Sequence, residues 1–416
     1  MSALPAAGFS GGNRVRLLTG GDELFPAVCA ALDAARHEVL FASYIFSDDG
    51  AGRCVADALI AAAARGVRVR VVLDGFGGMG TLPVLRGWFQ GSAVQLEVFR
   101  PIDRWWNWLQ PSQLRRLHHK LCVVDGSTAF VGGINVIDDR FDQRHGWSDA
   151  PRLDFAVEVR GPVAGDVEHL AQALWTRAHL GHGWRGEVSQ LARSAEPISS
   201  TLRLLRDLSS GQGAPADDEA QLPLAPVRAA LVVRDNLRQR RAIERAYVGA
   251  IGSARERIDI ACPYFYPGRG FRRALRRAAA RGVRIRLLLQ GKADYRFAAL
   301  AAQVLYDELL GRGVRVFEYT PAFLHAKVAL VDREWATVGS SNIDPLSLLL
   351  NLEANVVVVD GAFAADLAAR LDTAFAASAE ITAPPVRPGV RGLMSRGLVA
   401  WVAAVYLRVA GITGRY

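Results

Sequence analysis

The same pattern occurs twice in this chain, and that repetition constrains its architecture more than any other feature. His118-His119-Lys120-Leu121-Cys122-Val123-Val124-Asp125 and, about two hundred residues later, His325-Ala326-Lys327-Val328-Ala329-Leu330-Val331-Asp332 both read H-x-K-x-x-x-x-D. Each copy is followed at the same distance by a small-residue turn and an asparagine, Gly132-Gly133-Ile134-Asn135 in the first and Gly339-Ser340-Ser341-Asn342 in the second. A single match would be weak. A repeat with a shared downstream tail indicates a duplicated unit.

In an extended chain, residues i and i+2 project from one face. His118 therefore points with Lys120, and His325 with Lys327, while His119 faces the other way. Asp125 and Asp332 complete each motif and stand with its histidine and lysine among the catalytic candidates. Each is out of phase with its histidine and closes an apolar run beside a turn-like segment, so these carboxylates are expected mainly to fix the strand end and its electrostatics.

The duplication extends beyond the motifs. Residues 58–75, with Ala62-Ala63-Ala64-Arg65-Gly66-Val67-Arg68-Val69-Arg70 at their centre, are echoed by residues 274–291, with Ala278-Ala279-Ala280-Arg281-Gly282-Val283-Arg284-Ile285-Arg286. In both, an alanine-rich helix stops at a glycine and feeds a β-branched strand. A further apolar strand is expected before each helix, at residues 38–46 and 257–264. Alternating strands and helices predict an α/β fold present twice, with a mostly parallel β-sheet flanked by helices in each lobe. The polar, aperiodic stretch around residues 209–219 marks the seam. We expect lobes at 1–205 and 226–385, a linker at 206–225 and a basic C-terminal segment at 386–416. Two homologous lobes meeting face to face would form a pseudo-twofold single-chain dimer with one active site between them.

Such a cleft would hold two imidazoles, two ammonium groups and two asparagine amides. Lysines and neutral donors suit the oxygens of a phosphodiester. Two histidines suit a two-step displacement in which one attacks phosphorus and the other protonates the leaving alkoxide and then deprotonates the acceptor. With the lysines supplying positive charge, neither a metal nor another cofactor is expected. Each imidazole needs an acceptor on its second nitrogen. Asp154 and Glu353, opening apolar strands downstream in each lobe, are the candidates, against the simpler reading of carboxylates paired with surface arginines.

These paired motifs with their G-G-x-N and G-S-S-N tails resemble the phospholipase D superfamily, over residues 22–360. Tyr264-Phe265-Tyr266-Pro267-Gly268, the run from Gly339 through Asn342-Ile343-Asp344-Pro345-Leu346-Ser347, and Asn351-Leu352-Glu353-Ala354-Asn355 are similar to the B branch of bacterial cardiolipin synthases. That branch lacks the N-terminal membrane helices of other bacterial cardiolipin synthases, and so does this chain. Many relatives continue the second motif as Asp-x-Arg-Ser; here it reads Asp344-Pro345-Leu346-Ser347, so no role can be carried over for that arginine. The resemblance implies a two-lobed sandwich and transfer of a phosphatidyl group between two phosphatidylglycerol molecules, giving cardiolipin and glycerol. It implies His118 as nucleophile and His325 as acid and base. Lys120, Lys327, Asn135, Asn342 and Ser340 would bind phosphate, and Asp154 and Glu353 would orient the histidines.

Composition agrees with a folded protein that meets anions: half the residues are apolar, 22% are charged, and the net charge is +9. Anionic phospholipid (phosphatidylglycerol and cardiolipin) at a membrane surface is the expected partner, with nucleic acid not expected. A nuclease or a hydrolytic phospholipase of the same superfamily remains an alternative, since both use the same residue set. Cys29, Cys54, Cys122 and Cys262 form no metal-spaced pair and are expected to be buried thiols. No stretch offers about 20 uninterrupted apolar residues, so a peripheral position on the bacterial cell membrane is expected. Trp401 and Tyr406 lie in an apolar block, 398–407, flanked by arginines, which reads as an interfacial helix or as a helix docked on the core. Arg104-Trp105-Trp106-Asn107-Trp108, ahead of the first motif, reads as a lipid interface, a buried cluster or a single-stranded nucleic-acid platform. Oligomeric state is not readable.

Overall fold

The computed structural model describes residues 8–101, 116–142, 146–191, 226–234, 239–291, 306, 309–344 and 351–382. The linker at 206–225, the tryptophan-rich approach at 104–108 and the segment at 386–416 lie outside the described residues.

The first half runs β1 (Ser10–Thr19), α1 (Gly20–Ala34), β2 (Glu38–Ser43), α2 (Gly50–Ala64), β3 (Arg68–Asp74), α3 (Leu82–Phe89), β4 (Gln95–Phe99), β5 (Leu121–Val124), β6 (Thr128–Gly132), a small hairpin of β7 (Phe141–Asp142) and β8 (Gly146–Trp147), β9 (Phe155–Arg160) and α4 (Pro162–Leu191). The second repeats it with β10 (Val227–Arg234), α5 (Ala242–Ser253), β11 (Arg257–Ala261), α6 (Arg269–Ala280), β12 (Arg284–Gln290), β13 (Arg315–Tyr319), β14 (Val328–Val331), β15 (Trp335–Gly339), β16 (Glu353–Val359), α7 (Gly361–Ala376) and β17 (Ser378–Ile381).

All but the β7–β8 hairpin join one fifteen-stranded sheet, ordered β17-β13-β12-β11-β14-β15-β16-β10-β1-β9-β6-β5-β2-β3-β4. Outward from the central β10–β1 pair the order is the same in both directions, save for β17 at one edge. The lobes therefore meet edge to edge and not face to face as expected: β1 pairs antiparallel with β10, Ser10 opposite Ala229 and Asn13 opposite Val227. The expected parallel sheet is a run of three strands in each lobe, β2-β3-β4 and β11-β12-β13. The remaining ladders are antiparallel, and the sheet as a whole is mixed. The cause is the connections. Helices α2 and α3 provide the crossovers that parallel neighbours need, whereas only three residues separate β5 from β6.

Side chains alternate between the two faces. On one, Val15, Leu17, Val131 and Val157 of the first lobe and Leu231, Val338 and Val356 of the second pack in a single cluster under α4 and α7. That shared core fastens the lobes more firmly than the short β1–β10 ladder can. On the other face the lobes keep separate cores, under α1, α2 and α3 in the first and under α5 and α6 in the second. The alanine-rich helices stop where the sequence places their glycines: Gly66 and Gly282 take φ of 89° and 85°, the left-handed conformation open to glycine.

The motif aspartates hold the strand ends. Asp125 and Asp332 sit at φ of 52° and 54° in the β5–β6 and β14–β15 turns. Asp125 accepts the backbone N–H groups of Arg36, His37 and Glu38 at 2.8–2.9 Å. Asp332 accepts those of Arg255, Glu256 and Arg257 at 2.7–3.1 Å. Each turn is thereby tied to the start of β2 or β11, the strand-end role expected of these carboxylates.

Candidate active site

The histidines and lysines do not lie within strands. His118 and Lys120 precede β5, and His325 and Lys327 precede β14, in extended lead-ins that keep the expected phase. His119 is fully buried and faces away, and burial pushes its pKa down to about 4.

Each lead-in is held by the opposite lobe. Leu117 bridges Leu352, with His118 N–H donating to Leu352 O at 3.1 Å and Leu352 N–H to Arg116 O at 2.9 Å. Leu324 bridges Leu153, with Leu153 N–H donating to Phe323 O and His325 N–H to Leu153 O, both at 2.9 Å. The residue after each bridging leucine carries the carboxylate. His118 Nδ1 lies 3.0 Å from Glu353 Oε2, and His325 Nδ1 lies 2.6 Å from Asp154 Oδ2. The orienting carboxylates were expected downstream in each lobe, and the structure crosses them: each histidine is oriented by the other lobe's acid. Neither half of the site exists without the other.

The two halves are chemically unequal. Ser340 Oγ donates to Glu353 Oε2 at 2.5 Å and accepts the Ala354 N–H at 3.1 Å. Its hydroxyl proton is thus directed at Glu353 and not into the space between the histidines. Burial opposes ionisation of Glu353, but His118 and Ser340 outweigh it and hold the carboxyl below its ordinary value. In the first lobe the equivalent of Ser340 is Gly133, where a Cβ would come 2.3 Å from Asp154 Oδ1. Burial pushes Asp154 up to about 6 against the pull of Lys327.

Both lysines are buried, and their ammonium groups turn back to the backbone: Lys120 donates to His118 O at 2.9 Å, and Lys327 to His325 O. Burial drives Lys120 down to about 7 despite Glu353 nearby, and lowers Lys327 as well. The two imidazoles are also shifted down by burial, His325 more strongly, with Lys120 and Lys327 acting on both in the same direction. Buried cations this close together form a site that an anion would relieve. The asparagines frame it. Asn135 Oδ1 accepts the Ile45 N–H at 3.3 Å and Asn342 Oδ1 receives the Cys262 thiol at 3.9 Å, so the amide nitrogens are the ends left to donate.

Tyr44 completes the first lobe's side and was missed in the sequence. Its ring meets the His118 ring edge-on at 5.0 Å, and Lys120 Nζ sits 5.3 Å above it. The strand register puts Pro263 at the equivalent place, so comparison of the repeats could not reveal it. An aromatic residue directly after a strand that ends beside the motif was the available signal. Of the cysteines, Cys122 and Cys262 are buried as expected; Cys54 is exposed and Cys29 half-buried, because both sit on the outer helices α1 and α2.

Two lobes of one topology around a single histidine–lysine site define a phospholipase-D-type α/β protein. The family model described as the phospholipase-D-like domain of cardiolipin synthase matches residues 28–146 and 247–376. The chain belongs to that family. It is 35% identical over 371 residues to cardiolipin synthase B of Escherichia coli K12, covering 89% of this chain and 82% of the relative. It is 34% identical over 386 residues to cardiolipin synthase A of Pseudomonas aeruginosa, covering 93% and 71%. Among solved structures, phosphatidylserine synthase of Haemophilus influenzae aligns with a TM-score of 0.64 at 12% identity over 94% of this chain and 93% of its own, which is a likeness of fold.

Proposed function

We propose that the protein is a cardiolipin synthase that transfers a phosphatidyl group from one phosphatidylglycerol to another and releases glycerol. The observation that carries this reading is the crossed pair of histidine–carboxylate contacts, two imidazoles each with a carboxylate on Nδ1 in one lysine-rich site of a chain from this family.

In the first step His118 Nε2 attacks phosphorus and the P–O bond to glycerol breaks, leaving a phosphatidyl-histidine. Glu353 supports the nucleophile's role: ionised, it accepts a hydrogen bond from Nδ1–H, which fixes the tautomer whose lone pair is on Nε2. His325 delivers a proton to the departing alkoxide. Burial and the two lysines lower its proton affinity, which suits a proton donor, and the charge of a phosphodiester acts in the opposite direction. In the second step His325 takes the proton of a glycerol hydroxyl on a second phosphatidylglycerol, that oxygen attacks phosphorus, and the P–N bond breaks. Lys120, Lys327 and the amides of Asn135 and Asn342 hold the phosphate oxygens through both steps.

The mouth of the site suits a lipid surface. Phe76 and Met79, just after β3, and Tyr266, just after β11, are 39%, 50% and 38% exposed at the sheet end from which the histidines emerge. Among the described residues no helix is long and apolar enough to cross a membrane. The exposed apolar residues support a peripheral position on anionic bilayers. The test is incubation with labelled phosphatidylglycerol vesicles and separation of products. Cardiolipin with equimolar glycerol is expected; phosphatidic acid would make the protein a hydrolase, and no lipid product with cleavage of DNA would make it a nuclease.

A further inference from the structure

The leucine before each histidine is gripped a second time, from its own lobe. Asp74, the last residue of β3, accepts the Leu117 N–H on Oδ2 at 2.8 Å. Gln290, the last residue of β12, accepts the Leu324 N–H on Oε1 at 2.9 Å. The positions are equivalent: β3 and β12 pair in parallel with β2 and β11, and the next glycine in each lobe donates to the end of the adjacent strand, Gly75 to Phe99 O at 2.8 Å and Gly291 to Tyr319 O at 3.1 Å. Leu117 and Leu324 are also the residues that bridge to the opposite lobe. Each histidine therefore hangs from a residue fixed on both sides.

The two acceptors differ in charge. Asp74 is fully buried and takes two more backbone donors on Oδ1, Phe76 at 2.8 Å and Gly77 at 3.1 Å. Burial pushes its carboxyl up, while Arg116 and three N–H donors favour the ionised form. Gln290 makes the same contact as a neutral amide.

Resting on the phosphatidyl-transfer reading, we propose that Asp74 and Gln290 are a matched pair of positioning residues that set the place of His118 and His325. Neither touches the reacting atoms. They act through the leucine backbone.

The test compares Asp74→Asn, Asp74→Ala, Gln290→Ala and Gln290→Glu with the wild-type protein on phosphatidylglycerol vesicles, alongside thermal melting and NMR titration of the histidine rings without lipid. Asp74→Ala and Gln290→Ala are expected to lower kcat by roughly ten-fold or more with KM little changed, as misplacement of a reacting group does. Gln290→Glu restores the acceptor and recovers kcat. Asp74→Asn keeps an oxygen that can accept the Leu117 N–H and retains most of kcat. In the titration, Asp74→Ala shifts His118 and spares His325, and Gln290→Ala does the reverse. Unchanged ring titrations in both alanine variants would overturn the proposal whatever reaction the protein catalyses. So would wild-type kcat in both folded alanine variants, or a loss of kcat that only follows a loss of folded protein. A wild-type protein that makes no cardiolipin, with the ring shifts as described, would overturn the reaction and leave the positioning intact.

Discussion

The catalytic inequality of the site rests on single atoms. Ser340 has a hydroxyl for Glu353, whereas Gly133 has no room for a Cβ beside Asp154. Gly133→Ala is therefore expected to push Asp154 off His325 and lower turnover by roughly ten-fold or more, measured as cardiolipin formed per minute with melting as control. Glu353→Gln keeps the shape of the contact but presents the wrong partner to His118 Nδ1, and a loss of about 100-fold or more is expected. The pH profile of kcat/KM follows from the same groups. Asp154, near 6, must be ionised to orient His325, so activity rises with pH through that value. Lys120, near 7, must be protonated to hold phosphate, so activity falls above it. A narrow bell with its top between these values is expected, and a flat profile from 5 to 9 would show that neither group governs the reaction. His118, Lys120, Asn135 and their second-lobe counterparts were legible in the sequence because the repeat printed them twice. Tyr44, Asp74 and Gln290 were not, since at each of these positions the other lobe carries different chemistry.

At the level of elements, the strands and helices were readable from local pattern: alanine runs closed by Gly66 and Gly282, and β-branched runs after them. What local pattern could not carry was the pairing of elements far apart in the chain. The bridges from Leu117 to Leu352 and from Leu153 to Leu324 decide which acid meets which histidine, and no spacing in the sequence encodes them. The edge-to-edge join of β1 and β10 is of the same kind. Asp125 and Asp332 belong to this scale. Asp125→Ala, which removes the acceptor of three backbone N–H groups, is expected to cost about 2 kcal/mol of stability in denaturant unfolding. Its turnover should stay within about three-fold of wild type, because the carboxylate serves the turn and not the phosphate. A large loss of turnover at unchanged stability would return Asp125 to the catalytic set.

For the whole molecule, the duplicated lobes supply the twofold arrangement that two separate subunits would otherwise provide, and the shared core under α4 and α7 keeps it closed. On the proposed function, the exposed apolar residues at its mouth would make docking and catalysis parts of one face. Replacing Phe76 and Met79 together by serine is expected to reduce sedimentation with phosphatidylglycerol vesicles by roughly three-fold or more at unchanged melting temperature, and unchanged binding would move the docking surface elsewhere. The central claim is that His118, oriented across the lobe boundary by Glu353, carries the phosphatidyl group between the two lipids. Its most direct measurement is to stop turnover of labelled phosphatidylglycerol in alkaline detergent and map the label on the protein. The account predicts a phosphatidyl group on His118 in the wild-type protein and its near absence in Glu353→Gln; label on His325, or normal turnover with no labelled histidine, would contradict it.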